Sequence, residues 1–171
     1  HPDHGPTRQG FDEFFGIRGG FIENHTHFFL QGDGFHDLYE GTQEIWAKGQ
    51  YFPQMVVDRA NQFIEQNKKR PFFLYLALNT PHYPEQPPKE HLAKFAHLKE
   101  PRRTYSAFVH TTDDLIGQVM KKLDVLGLRE DTILIFMSDN GHQSYRSYDF
   151  FQVRIDNHRS GYPKGHRFSV G

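Results

Sequence analysis

A chain of 171 residues with 20 Lys+Arg against 21 Asp+Glu and no long run of one sign carries no electrostatic footprint for nucleic acid or an anionic membrane, which leaves small or neutral partners. It contains no cysteine, so disulfide frameworks, thiolate metal sites and cysteine nucleophiles are excluded and the chemistry falls to oxygen and imidazole. The 17 Phe and 8 Tyr supply the bulk for a core, and no apolar run approaches the roughly 20 residues of a membrane span.

Residues His1 to about Tyr51 are rich in Gly, His and Phe without a sustained period, which predicts irregular structure around short strands. From Phe52 to about Asn67 the apolar Met55, Val56, Ala60, Phe63 and Ile64 fall at helical spacing, and Lys68, Lys69 and Arg70 suit the negative end of that helix. Pro71 stops it. The continuous apolar run Phe72 to Leu78 then has the length and composition of a strand buried on both faces. It leads into Asn79-Thr80-Pro81-His82-Tyr83-Pro84, where two prolines forbid further pairing.

Residues Lys89 to Glu100 suggest a short helix or ordered loop. Phe108, Val109, Leu115, Ile116, Val119, Met120 and Leu123 predict a long amphipathic helix between Tyr105 and Leu126, with Gly127 placed for a left-handed C-cap. Thr132 to Met137 reads as a second buried strand, ending at Ser138-Asp139-Asn140-Gly141-His142. Strand, helix and strand predict a right-handed parallel crossover. Beyond Gln143 no element is predicted.

In an open parallel sheet, ligands bind beyond the carboxyl ends of the strands. His82 follows the first predicted strand, and Asp139, Asn140 and His142 follow the second. Adjacent Asp and Asn on a turn can both offer oxygen to one hard cation such as Ca²⁺, although Asp-Asn-Gly is equally a plain turn. Histidine's near-neutral pKa suits His82 to anion binding or proton transfer; the alternative is a locally packed loop residue. His25 and His27 have strand-like i, i+2 spacing that would let them share a transition metal, or they are simply a solvated or packed pair. Asp113 and Asp114, adjacent on a helix, do not face each other and read as structural, with at most one carboxylate turned inward.

Four segments in register resemble the formylglycine-dependent sulfatases of the alkaline-phosphatase-like superfamily. Gly10-Phe11-Asp12-Glu13-Phe14-Phe15-Gly16 is similar to that family's Gly-Phe-Asp-x-Phe-x-Gly stretch. Pro71 to Ala77 with Thr80-Pro81-His82 resembles its catalytic-histidine strand and loop, Asp113-Asp114-Leu115-Ile116-Gly117 its long-helix signature, and Ser138-Asp139-Asn140-Gly141 its metal motif. Together they cover the chain to about residue 142.

The resemblance implies an α/β fold, a mostly parallel central sheet sandwiched by helices, present here incompletely. Residues 1–171 would be a single partial catalytic domain, an internal fragment of the family's N-terminal catalytic domain that lacks its nucleophile segment and its C-terminal part. It implies a sulfuric ester hydrolase that depends on Ca²⁺ in preference to Mg²⁺ and cleaves aryl or carbohydrate sulfate monoesters. A phosphodiesterase or phosphonate hydrolase of the same superfamily, or a chain inactive as it stands, are the alternatives. Asp139 and Asn140 would be two of four oxygen-donating side chains around the metal, His82 would hydrogen-bond a sulfate or ester oxygen and help the leaving group depart, and His142 would face the substrate. The family's Cys/Ser-x-Pro-x-Arg nucleophile motif, source of its formylglycine, is missing from this sequence, as are its two acidic metal ligands on the first strand and its Gly-Lys-Trp-His segment. Lys164 stands too early to match the family's second active-site lysine. Family members are often exported or lysosomal, which leaves localisation open.

Overall fold

The computed structural model describes residues 4–30 and 34–139, and the chain divides after Thr132 into two compact units. The first unit has a 3₁₀ turn at Pro6–Arg8 and an aromatic-rich segment in which the paired strands among the described residues are short: β1 (Phe15–Gly16), β2 (Tyr39–Glu40) and β3 (Gln43–Glu44). They form an antiparallel sheet in the order β1-β2-β3, with Phe15 opposite Glu40 and Tyr39 opposite Glu44. The Gly10–Gly16 stretch is built into this sheet. Its Phe14 carbonyl accepts from the Gly41 amide at 2.7 Å, and the guanidinium of Arg59 lies 5.2 Å from the Phe15 ring centroid.

Helix α1 spans Phe52–Asn67, with Pro53 in its first turn, where a missing N–H costs nothing. At its other end the Asn67 side-chain amide donates to the Phe63 carbonyl at 2.8 Å and accepts from Arg70 Nε at 2.7 Å. Helix α2 spans Lys89–Lys94 and α3 spans Arg102–Val125. The end of α3 is a Schellman motif: the Gly127 amide donates to Asp124 at 3.1 Å and the Leu128 amide to Leu123 at 2.9 Å. Gly127 takes φ 67° there, a left-handed conformation that glycine adopts without a Cβ clash.

Val57, Ala60 and Ile64 of α1 bury themselves against Leu115, Val119 and Leu123 of α3. A second cluster joins Phe52 and Val56 to Ile22 and Leu38 from the N-terminal segment. The run from Phe72 to Leu78 lies along both. Phe72, Leu74, Leu76 and Leu78 pack on the first cluster, and Leu76 and Leu78 also reach the second. Between them Phe73 and Tyr75 stay 74% and 71% exposed. The expected strand buried on both faces is thus covered on one face only, and among the described residues no strand pairs with it. A parallel partner, which would supply both ladder hydrogen bonds and cover, is what such a run requires.

The second unit begins at Ile133. Its first residues, Ile133 to Met137, have no assigned strand and are exposed throughout, Ile135 to 78%. Asp139, also exposed, is the last described residue.

Candidate functional site

His82 sits on the loop that follows the Phe72–Leu78 run, where Thr80–Pro81 and Tyr83–Pro84 are both cis. Its amide donates to the Asn79 carbonyl at 3.1 Å, closing a tight turn that leaves the imidazole exposed. Nδ1 lies 2.7 Å from the Tyr83 carbonyl. A carbonyl only accepts, so Nδ1 carries the proton and Nε2 is left for an external partner. One face of the ring meets Phe21, centroids 5.2 Å apart, and Phe21 also meets Tyr83 at 6.0 Å and Phe29 at 5.6 Å.

The loop is tied to the N-terminal segment by amides. Buried Asn24 donates from Nδ2 to the Pro84 carbonyl at 3.3 Å and accepts at Oδ1 from Asn79 Nδ2 at 2.8 Å, while its backbone N–H donates to Gln86 Oε1 at 2.9 Å. Gln86 Nε2 donates in turn to Glu23. Glu23 also accepts the amides of His25 at 3.0 Å and Thr26 at 2.6 Å. Burial opposes ionisation of Glu23, yet these bonds from Thr26, Gln86 and His25 outweigh it and hold its carboxyl below the ordinary value.

A second support reaches Phe21 through Phe29. The buried Asp37 carboxylate accepts the amides of Arg18 at 3.0 Å and Gly19 at 2.6 Å. A Cβ on Gly19 would stand 2.8 Å from Asp37 Oδ2 and 3.0 Å from Phe29 Cδ2. Glycine is required there so that the backbone can approach both the carboxylate and the aromatic stack that carries His82.

Of the residues expected at a metal, Asp139 is described and exposed, whereas Asn140 and His142 lie outside the described residues. His25 and His27 do not share a face. His25 is exposed and its ring lies 5.2 Å from that of Tyr51. His27 is fully buried at φ 64°, its Nε2 donating to the Gln50 carbonyl at 3.0 Å. Desolvation, only partly offset by that bond, lowers its pKa; it is a structural residue. Asp113 is exposed, while Asp114 faces a neighbouring helix, with His91 Nε2 at 3.3 Å.

The profile of the sulfatase family matches residues 2–168. This chain belongs to the sulfatases. It is 34% identical over 146 residues to arylsulfatase J of Mus musculus, covering 81% of this chain and 24% of that protein. It is 36% identical over 101 residues to an N-acetylgalactosamine-6-O-sulfatase of Bacteroides thetaiotaomicron, covering 59% of the chain and 19% of the relative. The crystal structure of Ps i-CgsB in complex with k-i-k-neocarrahexaose shares its fold with a TM-score of 0.63 at 29% identity, covering 75% of this chain and 32% of that one. The chain spans about a quarter of the length of the first curated relatives it matches.

Two groups of residues were not fully legible in sequence. The Asn24–Asn79–Gln86 bridge joins positions more than fifty residues apart, and no local period encodes such a pairing. The partners of Asp114 were half visible: His110 precedes it by four positions on the predicted helix, one turn away on the same face, but His91 comes from a different element.

Proposed function

We propose that this sulfatase-family chain serves the hydrolysis of sulfate monoesters, with His82 as the residue that meets the ester. The observation that carries the reading is the state of that imidazole: exposed, held in place by Phe21, and fixed by the Tyr83 carbonyl so that Nε2 is the nitrogen presented to a ligand. Protonated, Nε2 hydrogen-bonds a sulfate oxygen or the bridging ester oxygen and stabilises the charge that gathers there as the leaving group departs. Neutral, it accepts a proton.

Carbohydrate sulfates are the favoured substrates. An N-acetylgalactosamine-6-O-sulfatase and an ulvan-active sulfatase of Formosa agariphila are among the relatives. The donor chemistry of Asp139 and Asn140, one carboxylate and one amide oxygen, fits a hard cation of the calcium type. Calcium takes 6–8 oxygens, so these two supply only part of a shell. A bound calcium would neutralise the non-bridging sulfate oxygens. The nucleophile, expected as a formylglycine, is outside this sequence, which has no cysteine and no Ser-x-Pro-x-Arg; the 171 residues by themselves are read as inactive. The complete protein is read as an α/β fold with a mostly parallel sheet sandwiched by helices, in which ligands bind beyond the carboxyl ends of the strands.

The test is turnover of matched aryl sulfate and aryl phosphate esters by the protein expressed from its complete reading frame. Sulfate is expected to be preferred, and His82→Ala to lower kcat by roughly 10²–10⁴-fold. A preference for phosphate would turn the assignment to a phosphodiesterase or phosphonate hydrolase, and Ca²⁺-dependent sulfate release by the 171 residues alone would refute the inactive reading.

A further inference from the structure

The face shared by α2 and α3 holds a cluster that the proposed hydrolysis does not use. His91 of α2 and His110 and Asp114 of α3 present ligand atoms that all lie within 4.8 Å of one another. Asp114 Oδ2 is 3.3 Å from His91 Nε2 and 3.9 Å from His110 Nε2. The bond lengths of a tetrahedral zinc site, about 2.0–2.2 Å, set neighbouring ligand atoms roughly 3.2–3.6 Å apart. The cluster is therefore close to coordination geometry before any ion arrives.

Its hydrogen bonds orient the lone pairs inward. The Thr111 hydroxyl donates to the Ala107 carbonyl at 2.8 Å, so its oxygen accepts the Nδ1–H of His91, also at 2.8 Å. That leaves the lone pair of His91 on Nε2, facing the carboxylate. A ligand histidine anchored through its other nitrogen is the usual arrangement around a metal. His110 Nε2 in turn accepts from Lys94 Nζ at 2.8 Å. Phe95 packs edge-on against the His110 ring at 5.7 Å, and the two imidazoles lie 5.0 Å apart.

Two imidazole lone pairs and a carboxylate thus converge on one region, and the only cation described there is the ammonium of Lys94, 3.9 Å from Asp114 Oδ2. Lys94 is the last residue of the short α2 and its side chain is 53% exposed, so it can swing into solvent without disturbing the fold. We propose that His91, His110 and Asp114 form a binding site for a divalent transition ion of the zinc class, with Lys94 as a tethered cation that the metal displaces. Imidazole with carboxylate suits zinc rather than the all-oxygen preference of calcium, so this site is chemically distinct from the one proposed at Asp139 and Asn140.

The test is titration of the full chain with ZnCl₂ against a chromophoric chelator, and with CoCl₂ followed by visible absorption. One equivalent is expected to bind, with a tetrahedral cobalt spectrum. His110→Gln and Asp114→Asn should each weaken binding by about tenfold or more, Thr111→Val by roughly 10–100-fold through loss of the His91 anchor, and Lys94→Gln should tighten it. His97→Gln, an exposed histidine outside the cluster, should change nothing. Far-UV circular dichroism reports whether each variant keeps its helices. Absence of stoichiometric zinc binding overturns the proposal, as does binding that survives His110→Gln and Asp114→Asn in folded protein. Weaker or unchanged binding in Lys94→Gln overturns the displacement.

Discussion

Gly19 and His27 show how much of the described structure rests on single residues. Gly19 occupies a space where a methyl group would press on Asp37 and Phe29. Gly19→Ala is expected to destabilise by about 1–3 kcal/mol, the range for overpacking, read as a lower urea midpoint. Because Phe29 meets Phe21, which in turn meets the His82 ring, the same change should also lower the proposed sulfate-ester hydrolysis by the complete protein. His27 is buried with its pKa depressed by desolvation, His36 and His25 adding to the effect and Glu23 opposing it. A histidine whose folded pKa lies below its unfolded value contributes full stability above the unfolded pKa, near 6.5, and loses it as pH falls towards the folded one. The unfolding midpoint should therefore decline as pH drops below about 6.5. His27→Gln, which keeps a donor for the Gln50 carbonyl, should flatten that decline; an unchanged slope would assign it to other groups.

At the scale of elements, the Phe72–Leu78 run divides into two faces with different consequences. Leu74 packs on the cluster made by α1 and α3, whereas Tyr75 is open. Leu74→Ala is expected to cost about 1–2 kcal/mol for its lost apolar contact, and Tyr75→Lys within about 0.5 kcal/mol of zero, as for a surface change. Equal losses in thermal denaturation of the chain would show that the open face is covered. The helices were legible because their signals are local. The apolar spacing from Met55 to Ile64 located α1, and Gly127 marked the end of α3. The β1–β3 sheet was foreseen only as unplaced short strands within irregular structure, since two-residue strands carry no readable alternation.

For the whole chain, the exposed apolar residues set its behaviour in isolation. Phe73 and Tyr75 in the first unit, and Ile133 to Met137 in the second, are large, apolar and open, and runs of this kind with unpaired backbone invite association. Sedimentation velocity of the 171 residues is expected to show self-association that Phe73→Lys with Ile135→Lys reduces; a concentration-independent monomer would contradict this. The sequence alone determined family membership, the extent of α1, the C-terminal end of α3 though not its start at Arg102, and the place of His82 after an apolar run. Those are read from motifs, periods and caps, which depend on residues a few positions apart. Only the tertiary structure decided that His27 is core while His25 is not, that the amides of Asn24 and Gln86 clasp the His82 loop, and that Asp114 meets a histidine from another helix. Such contacts join distant positions through packing, and packing is a property of which surfaces meet rather than of any local pattern.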